Sequence, residues 1–411
     1  MNKRLVLNLT KTIAVAGITL QSAMAMASGQ LLVWEDIKKS MGNEDANKAF
    51  EQIHDVKITI QELPYGGQLE SLRLDGPAGT GPDVITIPHD QLGAAVVQGL
   101  LSPMAVDKDI LASFTTPALT ALTYKGTLYG LPKAIETVVM VYNKDLVPEL
   151  PTHLNDILAL SKKFREKGDY GLLAKWDEFY YAYGILAGYG ADVFATNEDG
   201  TLNANELLLN NAGAVQAATY INSFYADKVF PSGIIGDSGA NAIDSLFTGK
   251  KAAIVQTGPW SLQPYKEAGI NYGVAPLPIL ENGEHMRSFL GVKGYSISIY
   301  SKNKPLAQQY IEFINNYDNA KRRFELTGEI PPVKSLINDP LIKSNEGARA
   351  VAIQAAYAVP MPSIPEMAEV WGPMNGALQL INTGKQAPKE ALDAAVKTIH
   401  MQIDANHAMN Q

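Results

Sequence analysis

The sequence contains no cysteine. That single absence excludes disulfides, thiolate metal sites and a cysteine nucleophile, and it leaves no residue to carry a thioether-linked lipid anchor. Also missing is any block of Lys or Arg, and the formal net charge is -8, so neither nucleic acid nor an anionic membrane surface is an expected partner. Beyond the N-terminus no run is long and apolar enough to cross a bilayer. The six histidines, His54, His89, His153, His285, His400 and His407, form no tight metal-ligand spacing. The glycine-rich GPAGTGPD at 76–83 lacks the Lys-Ser/Thr of a phosphate loop, and TGKKA has Lys251 where that motif needs a hydroxyl. There is no G-x-S-x-G elbow. No metal and no cofactor are expected.

What is present begins with an export signal. MNKRLVLNLTKTIAVAGITLQSAMAMA pairs a basic start at Lys3 and Arg4 with an apolar stretch around 13–20 and small residues at Ala23, Ala25 and Ala27. This reads as a cleaved signal peptide over residues 1–27. Its removal takes Lys3, Arg4 and Lys11 and moves the net charge from -8 to -11. The mature chain is expected in the periplasm, free of a lipid anchor.

A length of 411 residues favours two domains, and a hydrophobic share of 46% against 18% charged fits a globular chain. Strands are predicted at 31–34, over VKITIQEL, at 84–87, and in AAIVQTGP, YGVAPLP and GYSISIYS. The strict alternation in VKITIQEL indicates a strand with one wet face or one near a sheet edge. Helices are predicted at about 43–53, over PTHLNDILALSKKFREKG with Thr152 as cap and Gly168 as stop, and over APKEALDAAVKTIHMQI with Pro388 in the first turn. Alternating strands and helices indicate an α/β fold with largely parallel sheets.

One stretch resists this scheme. In LPKAIETVVMVYNKDL (131–146), Val138 to Val141 read as a strand buried on both faces, yet Glu136 stands just before them. A carboxylate at the edge of a core needs a partner.

Aromatic residues and carboxylates recur together at predicted strand ends. Trp34 precedes Glu35 and Asp36, with Lys38 and Lys39 close by; His89 and Asp90 follow DVITI; Glu178, Phe179 and Tyr180 cluster after Trp176. Trp260 follows a Gly258-Pro259 turn, and Trp371 follows SIPEMAEV. Ligands of α/β sheets sit beyond the carboxyl ends of strands. Flat rings beside hydroxyl acceptors suit a pyranose, whose C–H face stacks while its hydroxyls donate. A single Trp is more often core and a single Asp or Glu more often solvated surface; the recurrence carries the reading. Tyr180 and Tyr181 could also ligate iron, but no histidine or second tyrosine cluster joins them.

The ordered motifs LLVWED, GPDVITIPHD, GLLSPM, LPKAIETVVMVYNKDLVP, PTHLNDI, FTGKKAAIVQTGPW, NYGVAPLP and MPSIPEM…VW resemble, over about 29–403, the bacterial extracellular solute-binding proteins of ABC carbohydrate importers, and among them the maltodextrin binders. The resemblance implies a two-lobed α/β periplasmic-binding-protein fold of type II. Its first lobe would hold 28–134 and 294–340, its second 135–293 and 341–411, with a ligand cleft between lobes joined by a multi-segment hinge. It further implies a monomer that hands an oligosaccharide to permease subunits in the inner membrane and performs no chemistry.

Carried across, VWED puts Trp34, Asp36 and Lys38 or Lys39 at the first-lobe rim, and PHDQ puts His89 and Asp90 there. AIE makes Glu136 a hydroxyl acceptor that begins the strand between lobes, solvated when the cleft is open and paired by sugar when it closes. DEFY gives Glu178 as acceptor and Tyr180 as platform, with Phe179 in place of the family's proline; GPW and VW give Trp260 and Trp371 as stacking walls. The family's maltodextrin binders carry an aromatic where Ile87 stands, an arginine at Gln91, a tyrosine at Gly372 and another near Ala240. A thinner aromatic lining fits a linear maltodextrin and a ring-shaped cyclodextrin equally. Two other classes stay open: an exported glycoside hydrolase using two of Glu136, Glu178, Asp90 and Asp36, and a binder of a non-sugar solute.

Overall fold

Strand β1 (Gly29–Glu35) sends alternate side chains into two apolar layers. Leu31 and Val33 join Phe50, Tyr295 and Tyr310 on one side, whereas Trp34 joins Leu69, Leu72 and Ile85 on the other, as period-two geometry requires in a strand covered on both faces. β2 (Val56–Glu62), whose alternation allowed a wet face or an edge position, lies at the sheet edge and has no fully buried residue. β3 (Val84–Pro88) is buried throughout. These positions come from a computed structural model that describes residues 29–198 and 200–407; the signal segment expected at 1–27 lies outside the described residues.

After β4 (Leu101–Ser102) and β5 (Gly130–Glu136) the chain changes sheet. β6 (Val139–Asn143), β7 (Tyr170–Leu173), β8 (Ala252–Thr257) and β9 (Tyr272–Ala275) form a four-stranded sheet in the order β9-β6-β8-β7. β10 (Phe289–Ser298) returns to the larger, seven-stranded sheet, and β11 (Val359–Pro360) pairs with its first residues. Glu136 therefore ends a strand of the larger sheet and does not begin the next one, as the sequence had suggested.

The sheets are less parallel than expected. β1 runs parallel to β2 and β3, and β7 parallel to β8. However, β10 is antiparallel to β3, β4 and β5, and β6 is antiparallel to β8 and β9. β6 and β10 are the strands that follow a change of sheet. They arrive without the long same-sheet crossover that joins parallel neighbours.

The segments that pass between the sheets lie side by side. Thr137 Oγ1 donates to Phe289 O at 2.6 Å, and Ile135 N donates to Ile330 O at 2.9 Å. Each sheet carries its own core. The larger cluster surrounds the four-stranded sheet through Val139, Val141, Leu172 and Ile254.

The predicted helices form as Glu44–His54, Leu154–Glu166 and Pro388–His407. Gly168 takes the left-handed conformation (φ 84°) just past the second of these. Thr152 does not cap it: the cap position is His153, and the Thr152 hydroxyl bonds that ring instead. Among the described residues no helix is long and apolar enough to cross a membrane.

Candidate functional site

The partner of Glu136 comes from β10. Gly291 lies opposite Glu136 in the β5–β10 pair, which makes Lys293 its diagonal neighbour, within reach of a long side chain. Lys293 Nζ is 3.1 Å from Glu136 Oε2, 3.5 Å from Asp36 Oδ2 and 3.7 Å from Glu329 Oε1. Tyr65 donates its hydroxyl to Glu136 Oε1 at 3.1 Å, and its ring centroid lies 4.3 Å from the Lys293 ammonium. Glu136 is 8% exposed. The expectation that only water or sugar would pair it is corrected: at this burial the protein supplies the partners itself. Burial works to strip the Lys293 proton, but Glu136, Glu329 and Asp36 outweigh it and hold the ammonium above the usual lysine range.

A buried ionic layer continues beneath. Lys133 Nζ sits 2.5 Å from Glu35 Oε1 and 3.2 Å from Glu329 Oε2. Burial would raise the Glu329 carboxyl, but Lys133, Lys293 and Lys39 push it below the carboxylate range. Lys39 donates to Thr327 O at 3.1 Å and lines a small pocket with Glu136, Trp260 and Lys293. Lys38 occupies a left-handed turn position (φ 59°) and is exposed. Of the two lysines, Lys39 is the one turned inward.

The opposing wall comes from the start of the helix Phe179–Gly188. Buried Lys175 lies 2.6 Å from both Asp177 carboxylate oxygens and 3.3 Å from Glu178 Oε1, while Asp177 also accepts from Gly236 N. Tyr180 has a buried hydroxyl without a partner among the described residues. Its ring stands 5.3 Å from Tyr181, at right angles, and 6.3 Å from Trp260. Trp260 folds back over Gly258, where an added Cβ would come within 2.2 Å of the indole. The backbone there is ordinary extended chain (φ -126°, ψ -175°), so close approach and not conformation demands the glycine.

Asp36, Tyr65, Glu136 and Lys293 thus face Glu178, Tyr180, Tyr181 and Trp260 across a cavity of about 430 Å³. A neighbouring cavity of about 230 Å³ is lined by Arg73, Asp90, Gln91 and Trp371 among others. Asp90 is 8% exposed; burial pushes its carboxyl up to about 6 against a hydrogen bond from Trp371. Trp371 opens the helix Trp371–Asn382 and is half-buried.

Three expected site residues belong to the core instead. Trp34 is 1% exposed and donates its indole N–H to Gln61 Oε1; alternation along β1 turns it under the helix Gln68–Ala78 and away from the cavity. Phe179 is fully buried, 5.8 Å from Trp371 and 5.7 Å from Phe289 edge-on, so it supports the platform and offers no face itself. His89 is 1% exposed and bridges two segments, with Nδ1 accepting from Val292 N and Nε2 donating to Met361 O, both at 3.0 Å. Burial lowers its pKa to about 4.

Sequence reasoning missed Tyr65 and Lys293, and it weighed Tyr181 as a metal ligand against an aromatic wall or core packing, without placing it in the sugar site. Lys293 left a signal: it is the lone charge in the apolar FLGVKGYSIS, the same anomaly that marked Glu136. Tyr65, in the short turn Tyr65–Gly67, left none. No group of His, Asp or Glu able to hold a metal ion occurs among the described residues. The arrangement offers flat rings and fixed hydrogen-bond acceptors around a partly enclosed space.

Comparison with known proteins agrees with this geometry. The family model of bacterial extracellular solute-binding proteins matches residues 45–350. The galactooligosaccharide-binding protein of Bacillus subtilis (strain 168) is 49% identical over 390 residues, covering 94% of this chain and 93% of that protein. The maltodextrin-binding protein MdxE of the same organism is 39% identical over 370 residues, 88% of this chain and 87% of its own. Among solved structures, MalX from Streptococcus pneumoniae in complex with maltopentaose superposes with a TM-score of 0.85 at 33% identity, covering 90% of this chain and 100% of that one. A cyclo/maltodextrin-binding protein complexed with maltotetraose gives 0.80 at 40% identity, covering 92% and 98%. The fold is accordingly the two-lobed type II arrangement.

Proposed function

The chain belongs to the bacterial extracellular solute-binding protein family, and we propose that it is the oligosaccharide-capturing component of an ABC importer, taking α-glucan chains such as maltodextrins or cyclodextrins between its lobes. The observation that carries this reading is the cavity in which rings and carboxylates from both sheets face one another: Tyr65, Asp36 and Glu136 on one side, Tyr180, Trp260 and Glu178 on the other. Stacking rings bind the apolar sugar face, and the acceptors take hydroxyl donors.

We take the first lobe as 28–134 and 294–340 and the second as 135–293 and 341–411; β10 straddles that division, which suits a strand belonging to the hinge. Closure of the lobes completes the site. In the family's manner the protein binds without catalysing, acts as a monomer outside the cytoplasmic membrane and delivers its ligand to inner-membrane permease subunits. Having no cysteine, it works free of a lipid anchor.

A second reading is favoured by one observation, the 49% identity to a galactooligosaccharide-binding protein. On that reading the same cavity takes galactose-based chains. Calorimetric titration with maltotetraose, cyclodextrins and galactotriose separates the two, and overnight incubation with the bound sugar tests for hydrolysis. Binding of a glucan or galactan with intact sugar recovered is the expected result. Shortened products would replace the proposal with a hydrolase, and failure of every sugar to bind would overturn it.

A further inference from the structure

Three carboxylates, Asp36, Glu136 and Glu178, line the main cavity beside a single ammonium, Lys293. Like charges gathered at a partly desolvated surface repel one another and either take up protons or swing apart. Each is instead backed by a buried lysine from its own side. Lys293, with a side chain 4% exposed, reaches Glu136 and Asp36 at 3.1 and 3.5 Å. Lys175, with a side chain 2% exposed, reaches Glu178 at 3.3 Å and is itself anchored on both oxygens of Asp177.

The two lysines are not equivalent. Lys175 lines neither cavity and serves Glu178 from behind, whereas Lys293 takes part in the cavity wall. Its ammonium occupies the place between Asp36 and Glu136 where a cationic ligand would find its best partners. It also lies over the Tyr65 ring, and Tyr65 in turn holds the second oxygen of Glu136. A neutral sugar therefore meets acceptors already fixed in direction, and an amino sugar meets a like charge.

Building on the sugar-binding reading above, we propose that Lys293 is a specificity-determining residue of this cleft: it positions Asp36 and Glu136 as acceptors for neutral sugars and excludes sugars bearing an ammonium group.

The test is calorimetry on wild-type protein and Lys293→Ala with maltotetraose, galactotriose and glucosamine trisaccharide, in millimolar ethylammonium chloride or matched sodium chloride. Wild-type protein is expected to bind one of the neutral sugars and to reject the amino sugar. Lys293→Ala should lose about tenfold to a hundredfold in affinity for that neutral sugar, the usual range for a charge-assisted contact. Ethylammonium, which refills the vacated cation site, should restore part of the loss where sodium does not, and discrimination against the amino sugar should shrink. A purely structural role for Lys293 would not produce that rescue. Unchanged affinity in Lys293→Ala, or rescue no better than with sodium, overturns this inference alone; a wild type that binds no sugar overturns the function reading as well. Should Lys293→Ala not fold, Lys293→Met, which keeps an unbranched side chain without the charge, is read beside its melting temperature. Weakened binding by a folded Met variant supports the inference, and full binding or failure to fold overturns it.

Discussion

Glu136 and Lys293 stand diagonally across the antiparallel strands β5 and β10, with Oε2 3.1 Å from Nζ, at the point where the chain leaves the larger sheet. Asp36 and Tyr65 close around the same pair. Buried ion pairs are weak contributors to net stability, because desolvation offsets most of the attraction. This one fixes two cavity carboxylates in position.

Glu136→Gln keeps the shape and one oxygen for the Tyr65 hydroxyl but removes the charge that faces Lys293. Affinity for the bound oligosaccharide should fall by about tenfold, as for loss of one charge-assisted hydrogen bond. The melting temperature should drop modestly, since Asp36 and Glu329 remain as counter-ions. Calorimetry beside thermal melting measures both, and an unchanged dissociation constant removes Glu136 from the site.

The four tryptophans divide into two classes. Trp34 and Trp176 are each 1% exposed, whereas Trp260 and Trp371 are half-buried beside the two cavities. Ligand should change the emission of the second pair only. The change should persist in Trp34→Phe and vanish when Trp260 and Trp371 are both Phe. Loss of the signal in the Trp34 variant would contradict the geometry.

Trp34→Ala removes a large core side chain against Leu69 and Leu72. Such truncations cost about 3–5 kcal/mol, which the denaturant midpoint reads. Sugar affinity of the folded fraction should stay at the wild-type level, and a weakened sugar complex with normal stability would return Trp34 to the cleft.

His89 and Asp90 are neighbours with opposed proton linkage. Burial lowers His89 from 6.5 to about 4, so the unfolded chain binds a proton that the fold refuses. Its contribution to stability is full above 6.5 and lost as pH falls toward 4. Burial raises Asp90 from 3.8 to about 6, so the fold keeps a proton that the unfolded chain releases. That contribution is full below 3.8 and lost as pH rises through 6. At ~1.36 kcal/mol per tenfold these are worth at most about 3.5 kcal/mol for His89 and about 3 kcal/mol for Asp90, and between pH 4 and 6 they nearly cancel. Asp90→Asn should therefore be more stable than wild type at pH 7 and should lose stability more steeply on acidification. Melting temperatures of both proteins from pH 4 to 8 check this; parallel curves would rule it out.

Much of the fold was legible because it rests on local periodicity. The alternation of Val56, Ile58 and Ile60 against polar neighbours marked a strand with a wet face or near an edge, and the unbroken run at 138–141 marked a strand covered on both faces. Strand direction was not legible, since β6 and β10 owe theirs to the passage between sheets. In the site, Trp260 and Glu178 were readable from motifs that end strands or open helices. Trp34 and His89 were misread for one reason: a motif gives position along the chain, but the face a side chain takes depends on the pleat and on what covers it. Lys293 escaped notice because its partners are distant in sequence, Glu136 and Asp36 lying 157 and 257 residues before it.

The indole of Trp260 lies so close over Gly258 that even a methyl group there would strike the ring. The seat of one ring that lines the main cavity is thereby set by an atom that is missing. Replacing Gly258 with alanine would force the indole from its present seat in the cavity wall. A descendant of this protein that kept the indole in this place would have to keep Gly258 as well, so the two positions diverge together or with Trp260 first.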